Sequence, residues 1–285
     1  MKPFTPYQPL VWELDGRPPI ITLLSDFGLR DPYVAEMKAV ILTICPRAVI
    51  VDISHGVRRH DIRMGTYILY RATRYFPKGT IHVAVVDPGV GTKRKPIVIE
   101  TKRSTYVGPD NGLLALPAGK EGILHVYEIR NPKYILREVS RTFHGRDIFS
   151  CAAAHIANGV PPSKLGPELS DFVKPIFAKP RVIDGERIIG EIIYIDGFGN
   201  LVTDVSPSEL TLLGIEEGDE AKVVIGGRTL KLRLCAAYGD VPAGSPLLIF
   251  GSAGLLEVSI NMGDAARSLN VKVGDRVVLE PLYKS

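Results

Sequence analysis

Between Ile20 and about Asn158, short apolar runs alternate with stretches whose apolar residues recur every three or four positions. Ile20-Ile21-Thr22-Leu23-Leu24 is a run of strand length, as expected of a strand covered on both faces. A helix follows, with Asp31 as N-cap, Pro32 at its first position, and Val34, Met37, Val40, Ile41 and Ile44 on one face; it stops at Cys45-Pro46. Ala48 to Asp52 predicts a second strand and Ile81 to Val86 a third. Between them, Asp61 to Phe76 predicts a helix, with Ile62, Gly65, Leu69, Ala72 and Phe76 at three-four spacing. Shorter strands are expected at Ile97 to Thr101 and Thr105 to Val107, and a helix from about Asp147 to Ala157. Strands alternating with crossover helices imply an α/β, Rossmann-like domain with a mainly parallel sheet.

The texture changes near Pro175. Lys174 to Gly185 carries two prolines, one glycine and no clear period. Beyond it come short apolar or alternating runs at Ile188–Ile195, Leu201–Val205, Ala221–Ile225, Thr229–Leu234, Leu247–Phe250, Leu255–Ile260 and Arg276–Leu279, separated by turn signals such as Gly226-Gly227 and Gly274-Asp275. They predict a smaller antiparallel β-barrel or sandwich. The expected organisation is an N-terminal extension over 1–19, an α/β domain over 20–173, a linker over 174–187 and an all-β domain over 188–285.

Composition narrows the function classes. The chain has 285 residues, 45% hydrophobic and 23% charged, an ordinary globular balance. A formal net charge of +4 is small for this length, and the basic run Lys93-Arg94-Lys95 is cut off from Lys102-Arg103 by the strand-like Ile97-Val98-Ile99. No broad basic face is indicated, so no nucleic-acid partner is expected. No segment has the roughly 18 apolar residues of a membrane span, and residues 1–19 lack the apolar core of a signal peptide. Cys45, Cys151 and Cys235 are widely spaced and odd in number, which suggests neither a disulfide framework nor a zinc knuckle and fits the reducing cytoplasm.

In an open parallel sheet, ligands bind beyond the carboxyl ends of the strands. The loops there hold Ser25-Asp26-Phe27-Gly28 and Asp31 after the first strand, then Asp52, Ser54, His55 and His60-Asp61 after the second. Asp87-Pro88-Gly89-Val90-Gly91-Thr92 follows the third, with Arg94 close behind, and Phe143-His144-Gly145-Arg146-Asp147 opens the last helix. Each has a plain structural reading beside the chemical one. Asp31 serves as an N-cap, Asp147 complements a helix dipole, Gly89 and Gly91 make a turn, and Asp87–Arg94 is an ion pair steadying it. The Gly-Val-Gly lacks the rest of a dinucleotide fingerprint, and the histidines lack a ligand spacing such as His-Glu-x-x-His, so neither phosphate nor metal is indicated. His82 and His125, inside strand-like runs, read as structural. The loops alone describe an α/β enzyme for a small molecule.

Five strings occur in order: Leu24-Ser25-Asp26-Phe27-Gly28 with Asp31, Val85 to Thr92, Gly108-Pro109-Asp110-Asn111-Gly112-Leu113, Thr142 to Asp147, and Asp196-Gly197-Phe198-Gly199-Asn200. Together they resemble the S-adenosylmethionine (SAM) hydroxide adenosyltransferase family, hydrolytic relatives of the fluorinase and chlorinase enzymes, over about Ile20 to Glu280. The resemblance implies that SAM is the substrate, cleaved by water or hydroxide at ribose C5′ into adenosine and methionine, with no further cofactor and no metal. Asp26 then matches the carboxylate that accepts both ribose hydroxyls. Asp31, Asp196 and Ser252 match positions holding the methionine amino and carboxylate groups, and Phe198 and Asn200 match residues on adenine. Asp87, Arg94 and His144 match the set that marks the hydroxide-using branch. A homotrimer is also implied, each site drawing on the N-terminal domain of one subunit and the C-terminal domain of the next. Gly145 stands where halide-using relatives have a serine, their loop insert is missing before Arg94, and Ala253 replaces an arginine. The competing readings are a halogenase, a non-catalytic adenosine or SAM sensor, and, third, a metal-dependent phosphoesterase.

Overall fold

The computed structural model describes residues 17–174 and 179–282; most of the expected extension and residues 175–178 of the expected linker lie outside these. Two compact units divide between residues 176 and 177.

The first unit is built on a six-stranded sheet of β1 (Ile20–Ser25), β2 (Val49–Ser54), β3 (Ile81–Val85), β4 (Pro96–Thr101), β5 (Thr105–Pro109) and β6 (Ile123–Glu128), in the order β2-β1-β3-β5-β4-β6. The neighbours β2, β1, β3 and β5 run parallel, and β4 is antiparallel to both β5 and β6. Apolar runs became central strands because both faces are covered. Ile21, Leu23, Val83 and Val85 pack under α1 (Tyr33–Ile44) and α4 (Cys151–Ala157), whereas Leu24, Ala84 and Tyr106 pack on the side of α2 (Ile62–Thr73) and α3 (Ala115–Glu121). The chain leaves β1 toward β2 and then crosses back over β1 to β3. The switch point where a ligand crevice forms therefore lies between β1 and β3.

The helix ends differ from the sequence expectation in one instructive way. Asp61 caps α2, its carboxylate accepting from the Met64 amide at 2.9 Å. Asp31, expected to do the same for α1, does not: the helix begins a residue later, Pro32 takes the cap position, and no side chain caps it. The carboxylate of Asp31 is left exposed. The expected helix from Asp147 starts instead as a π-helical turn, Gly145–Ser150, that runs into α4.

In the second unit, β8 (Arg187–Ile195), β9 (Leu201–Thr203), β10 (Glu220–Ile225), β11 (Arg228–Cys235), β12 (Pro246–Phe250), β13 (Leu256–Ile260) and β14 (Arg276–Pro281) form a closed barrel of seven strands, sealed by β14 against β8. All its pairings are antiparallel except β11 with β12. Closure leaves no edge along the ring. Within the stretch expected as a linker, Arg181–Ile183 forms β7, a short strand hairpinned onto β8. Two further short helices, α5 (Pro207–Leu212) and α6 (Ala265–Leu269), place Leu210, Ala265 and Leu269 in the barrel's core. No helix among the described residues is long and apolar enough to cross a membrane, and the three cysteines are buried and free.

His82, in the middle of β3, is fully buried, bonded to Thr22 Oγ1 through Nδ1 at 2.8 Å. Burial, helped by the charge of Arg103, pushes its imidazole down to about 3. The unfolded chain therefore binds a proton there first, and stability is lost as pH falls from about 6.5 toward 3. His82→Asn should flatten the fall in denaturation midpoint between pH 7 and 4.5; equal slopes in the two proteins would contradict it.

Candidate functional site

Three of the residues singled out in sequence come into direct contact. Asp87 follows β3, Arg94 closes the same loop, and His144 leads into the π-helical turn. Arg94 Nε donates to Asp87 Oδ1 at 3.1 Å and its Nη2 donates to Asp87 Oδ2, making a two-pronged pair. Nη2 also lies 3.0 Å from His144 Nδ1. A guanidinium only donates, so Nδ1 must be the acceptor, and the imidazole is neutral with its proton on Nε2. Burial and the Arg94 charge agree with that, holding His144 below the usual histidine value. The remaining guanidinium nitrogen, Nη1, is buried, and no group among the described residues accepts from it. Of the run Lys93-Arg94-Lys95 only Arg94 turns inward, its side chain 7% exposed beside an Asp87 side chain 5% exposed, and its Cζ sits 5.4 Å from the centre of the Phe149 ring.

The local chain explains why these groups meet. Thr92 Oγ1 donates to the Gly89 carbonyl at 2.7 Å, folding the loop back so that Arg94 returns to Asp87. Asn111 Nδ2 donates to the carbonyl of Val86 at 2.8 Å and so props the base of the loop; its string in the sequence had suggested no role. Gly91, with φ 74°, passes so close to the backbone of Arg141 that a Cβ there would lie 2.3 Å from the Arg141 carbonyl oxygen. That approach brings the 87–94 loop against the segment leading to His144. Asp147, read in sequence as a dipole charge, is fully buried and accepts from the Ser140 amide at 2.7 Å and from Arg146 Nε at 2.6 Å.

Asp26 lies on the neighbouring loop after β1, one oxygen accepting from the His60 amide at 2.8 Å. This loop is tied to the His144 segment by an aromatic cluster. The Phe27 ring centre is 5.7 Å from both Tyr33 and Phe143, and Tyr33 is 5.2 Å from Phe143. The same cluster borders Gly145, where a Cβ would meet Phe143 Cε2 at 3.3 Å and both Met37 Sδ and Phe27 Cε2 at 3.4 Å. Among the described residues, no three His, Cys, Asp or Glu side chains cluster as metal ligands would. His125, on β6, is bonded to Glu168 at 2.7 Å.

In the second unit, Asp196, Phe198 and Asn200 share the turn between β8 and β9. Asp196 Oδ1 accepts from the amides of Phe198 and Asn200, each at 2.9 Å, and Oδ2 from the Asn200 side chain at 3.0 Å. The carboxylate thus builds the turn that holds Phe198 out, 81% exposed. Ser252 is exposed on a different turn, between β12 and β13. Tyr238, not singled out in the sequence, donates its hydroxyl to buried Glu257 at 3.1 Å. Partial burial, Glu257 and then Asp196 push that phenol up to about 12, so it is neutral and near the Asp196 turn.

The N-terminal domain model of the SAM hydroxide adenosyltransferases matches residues 21–166, and the C-terminal domain model of the same family matches 190–278. The chain belongs to the SAM hydroxide adenosyltransferase family. It is 42% identical to a (R)-S-adenosyl-L-methionine hydrolase of Thermus thermophilus, covering 89% of this chain and 96% of that one. It is 37% identical to one of Methanocaldococcus jannaschii, over 90% and 94%. A fluorinase of an Actinoplanes species is more distant, at 30% identity over 90% and 95%. An uncharacterised protein of Thermotoga maritima, solved by crystallography, superposes with a TM-score of 0.87 at 39% identity, covering 91% of this chain and 99% of that one. In this chain, Gly91→Ala adds a left-handed residue, costing about 1–2 kcal/mol, to a clash with Arg141. The thermal midpoint should fall by several degrees; an unchanged midpoint would show that the close approach is not needed.

Proposed function

We infer that the chain hydrolyses SAM to adenosine and L-methionine, and that Asp87, Arg94 and His144 hold the attacking water. The supporting observation is Arg94 Nη1, a buried cationic donor with no acceptor among the described residues, beside an aspartate and a neutral histidine. A donor left unmatched in a buried place costs about 1–3 kcal/mol, so it is matched to something that arrives. An anionic oxygen fits a guanidinium best.

The chemistry follows from the charges. The sulfonium of SAM is a good leaving group on C5′. Water oxygen forms a bond to C5′, the C5′–S electron pair goes to sulfur, methionine leaves as a neutral thioether, and the water's proton passes to a base. Bulk water, with a pKa of about 15.7, is a poor nucleophile, so charge developing on its oxygen must be stabilised. Arg94 Nη1 supplies that. His144, with its proton on Nε2, offers the water a second donor, while Asp87 keeps lone pairs beyond its two bonds to Arg94 and takes the proton. Holding nucleophile and sulfonium in line supplies up to about 7–11 kcal/mol. Excluding bulk water favours a transition state in which the two charges neutralise each other.

Around this centre, Asp26 is assigned to the ribose diol, Asp31, Asp196 and Ser252 to the methionine end, and Phe198 and Asn200 to adenine. The proposed assembly is a homotrimer in which one subunit's first unit and another's second unit furnish each site. No additional cofactor or metal is assigned, and the three buried thiols support a cytoplasmic setting.

Purified protein with SAM and a chelator, without halide, should give adenosine and methionine in equal amounts. A 5′-halo-adenosine that forms only with halide, or activity lost to the chelator, would overturn this reading. Arg94→Ala should lower kcat by about 10²–10³ with KM changed only a few-fold; an unchanged kcat would remove Arg94 from the mechanism.

A further inference from the structure

Beside the loop that carries Asp26 lies a chain of polar side chains that the reaction scheme does not use. Lys38, on α1, donates to Asp52 Oδ2 at 2.6 Å. The other oxygen of Asp52 is 3.2 Å from His55 Nε2, close enough for attraction although not aligned as a hydrogen bond. His55, 5% exposed, reaches Ser25 Oγ through Nδ1 at 2.7 Å, and Ser25 is fully buried at the end of β1. Ser25 Oγ in turn accepts from the Phe27 amide at 3.3 Å. The backbone repeats the link, since the Gly28 amide donates to the His55 carbonyl at 2.8 Å.

For a neutral imidazole, the carboxylate beside it sets the direction of this chain. Were the His55 proton on Nδ1, the Nε2 lone pair would face a carboxylate. With the proton on Nε2 that contact becomes attractive, and Nδ1 is free to accept from Ser25. A shift in the β1–β2 register after Leu23 sets Leu24 opposite Ser54 and so brings His55 alongside Ser25. Between the two held positions, Ser25 and Gly28, lie Asp26 and Phe27, and Asp26 has a tether of its own from the loop after β2, through the His60 amide at 2.8 Å. His60 itself has a left-handed φ of 66°.

We propose that His55 is a positioning residue: by holding Ser25 and Gly28 it fixes the loop from which Asp26 meets the ribose diol. This rests on the assignment of Asp26 to the diol. His55 touches no substrate; it acts through the loop, so its loss reads out in binding of the diol and not in the chemical step.

The test compares adenosine with 2′,3′-dideoxyadenosine as competitive ligands of the intact enzyme, alongside SAM kinetics, for wild type, His55→Ala, His55→Asn and Ser25→Ala. In His55→Ala, KM for SAM should rise about tenfold with kcat within about threefold, and adenosine affinity should fall about tenfold while dideoxyadenosine affinity stays the same. Asparagine places its Oδ1 where Nδ1 stood, so His55→Asn should recover most of the adenosine affinity. Ser25→Ala breaks the same bond from the other end and carries the test if His55→Ala does not fold. Equal losses for both nucleosides, a fall in kcat at constant KM, or a diol preference retained by His55→Ala would overturn the positioning role alone. A wild-type enzyme with no preference for the diol would overturn the Asp26 assignment and this inference with it.

Discussion

Arg94 carries a guanidinium, and its side chain is buried. That constraint organises the first unit. A guanidinium taken out of water must find acceptors, and losing one partner of such a pair typically costs about 3–5 kcal/mol. Asp87 answers with both oxygens, His144 with a ring nitrogen, and the face of Phe149 lies over the cation. Because the arginine can only donate, the tautomer of His144 is dictated by it. The chemical character of the site thus follows from where one cation was put.

Putting it there required the fold. Reversal of strand order between β1 and β3 opens the place where the loops after both strands emerge together. Asn111 and Gly91 then fix the loop after β3, one by a bond to its base and one by the absence of a side chain. The π-helical turn at 145–150 keeps Asp147 inside, where it holds both Ser140 and Arg146 and so steadies the approach to His144. Such turns are rare and recur at functional sites. In the barrel a different economy applies. Asp196 spends its bonds on its own turn, and the product of that expense is an exposed Phe198.

The parallel strands were legible in the sequence because burial on both faces leaves unbroken apolar runs, as in Ile20–Leu24 and Ile81–Val86. The barrel strands were legible from alternation and turn residues. What escaped was short or irregular. Helix α3 contains Pro117 and Gly119 in seven residues, and β7 is a three-residue strand in a hairpin where no period develops. Helix α5 left a readable trace, since Glu209 reaches back to the Ser206 amide at 2.9 Å. The π-helical turn at Gly145–Ser150 had no counterpart in the helix pattern read from Asp147 onward. For the site, strand ends pointed to a set of loops, but Arg94 and His144 are joined across fifty residues, and only a resemblance to a family set them together with Asp87. Asp31 looked like a cap and is none, which frees its carboxylate.

The central claim is that this buried set delivers water to C5′. The most direct measurement is turnover of SAM in oxygen-18 water, followed by mass analysis that places the label. Adenosine carrying one oxygen-18 on its 5′ carbon is the predicted result. Unlabelled adenosine, or methylthioadenosine as the product, would contradict the account.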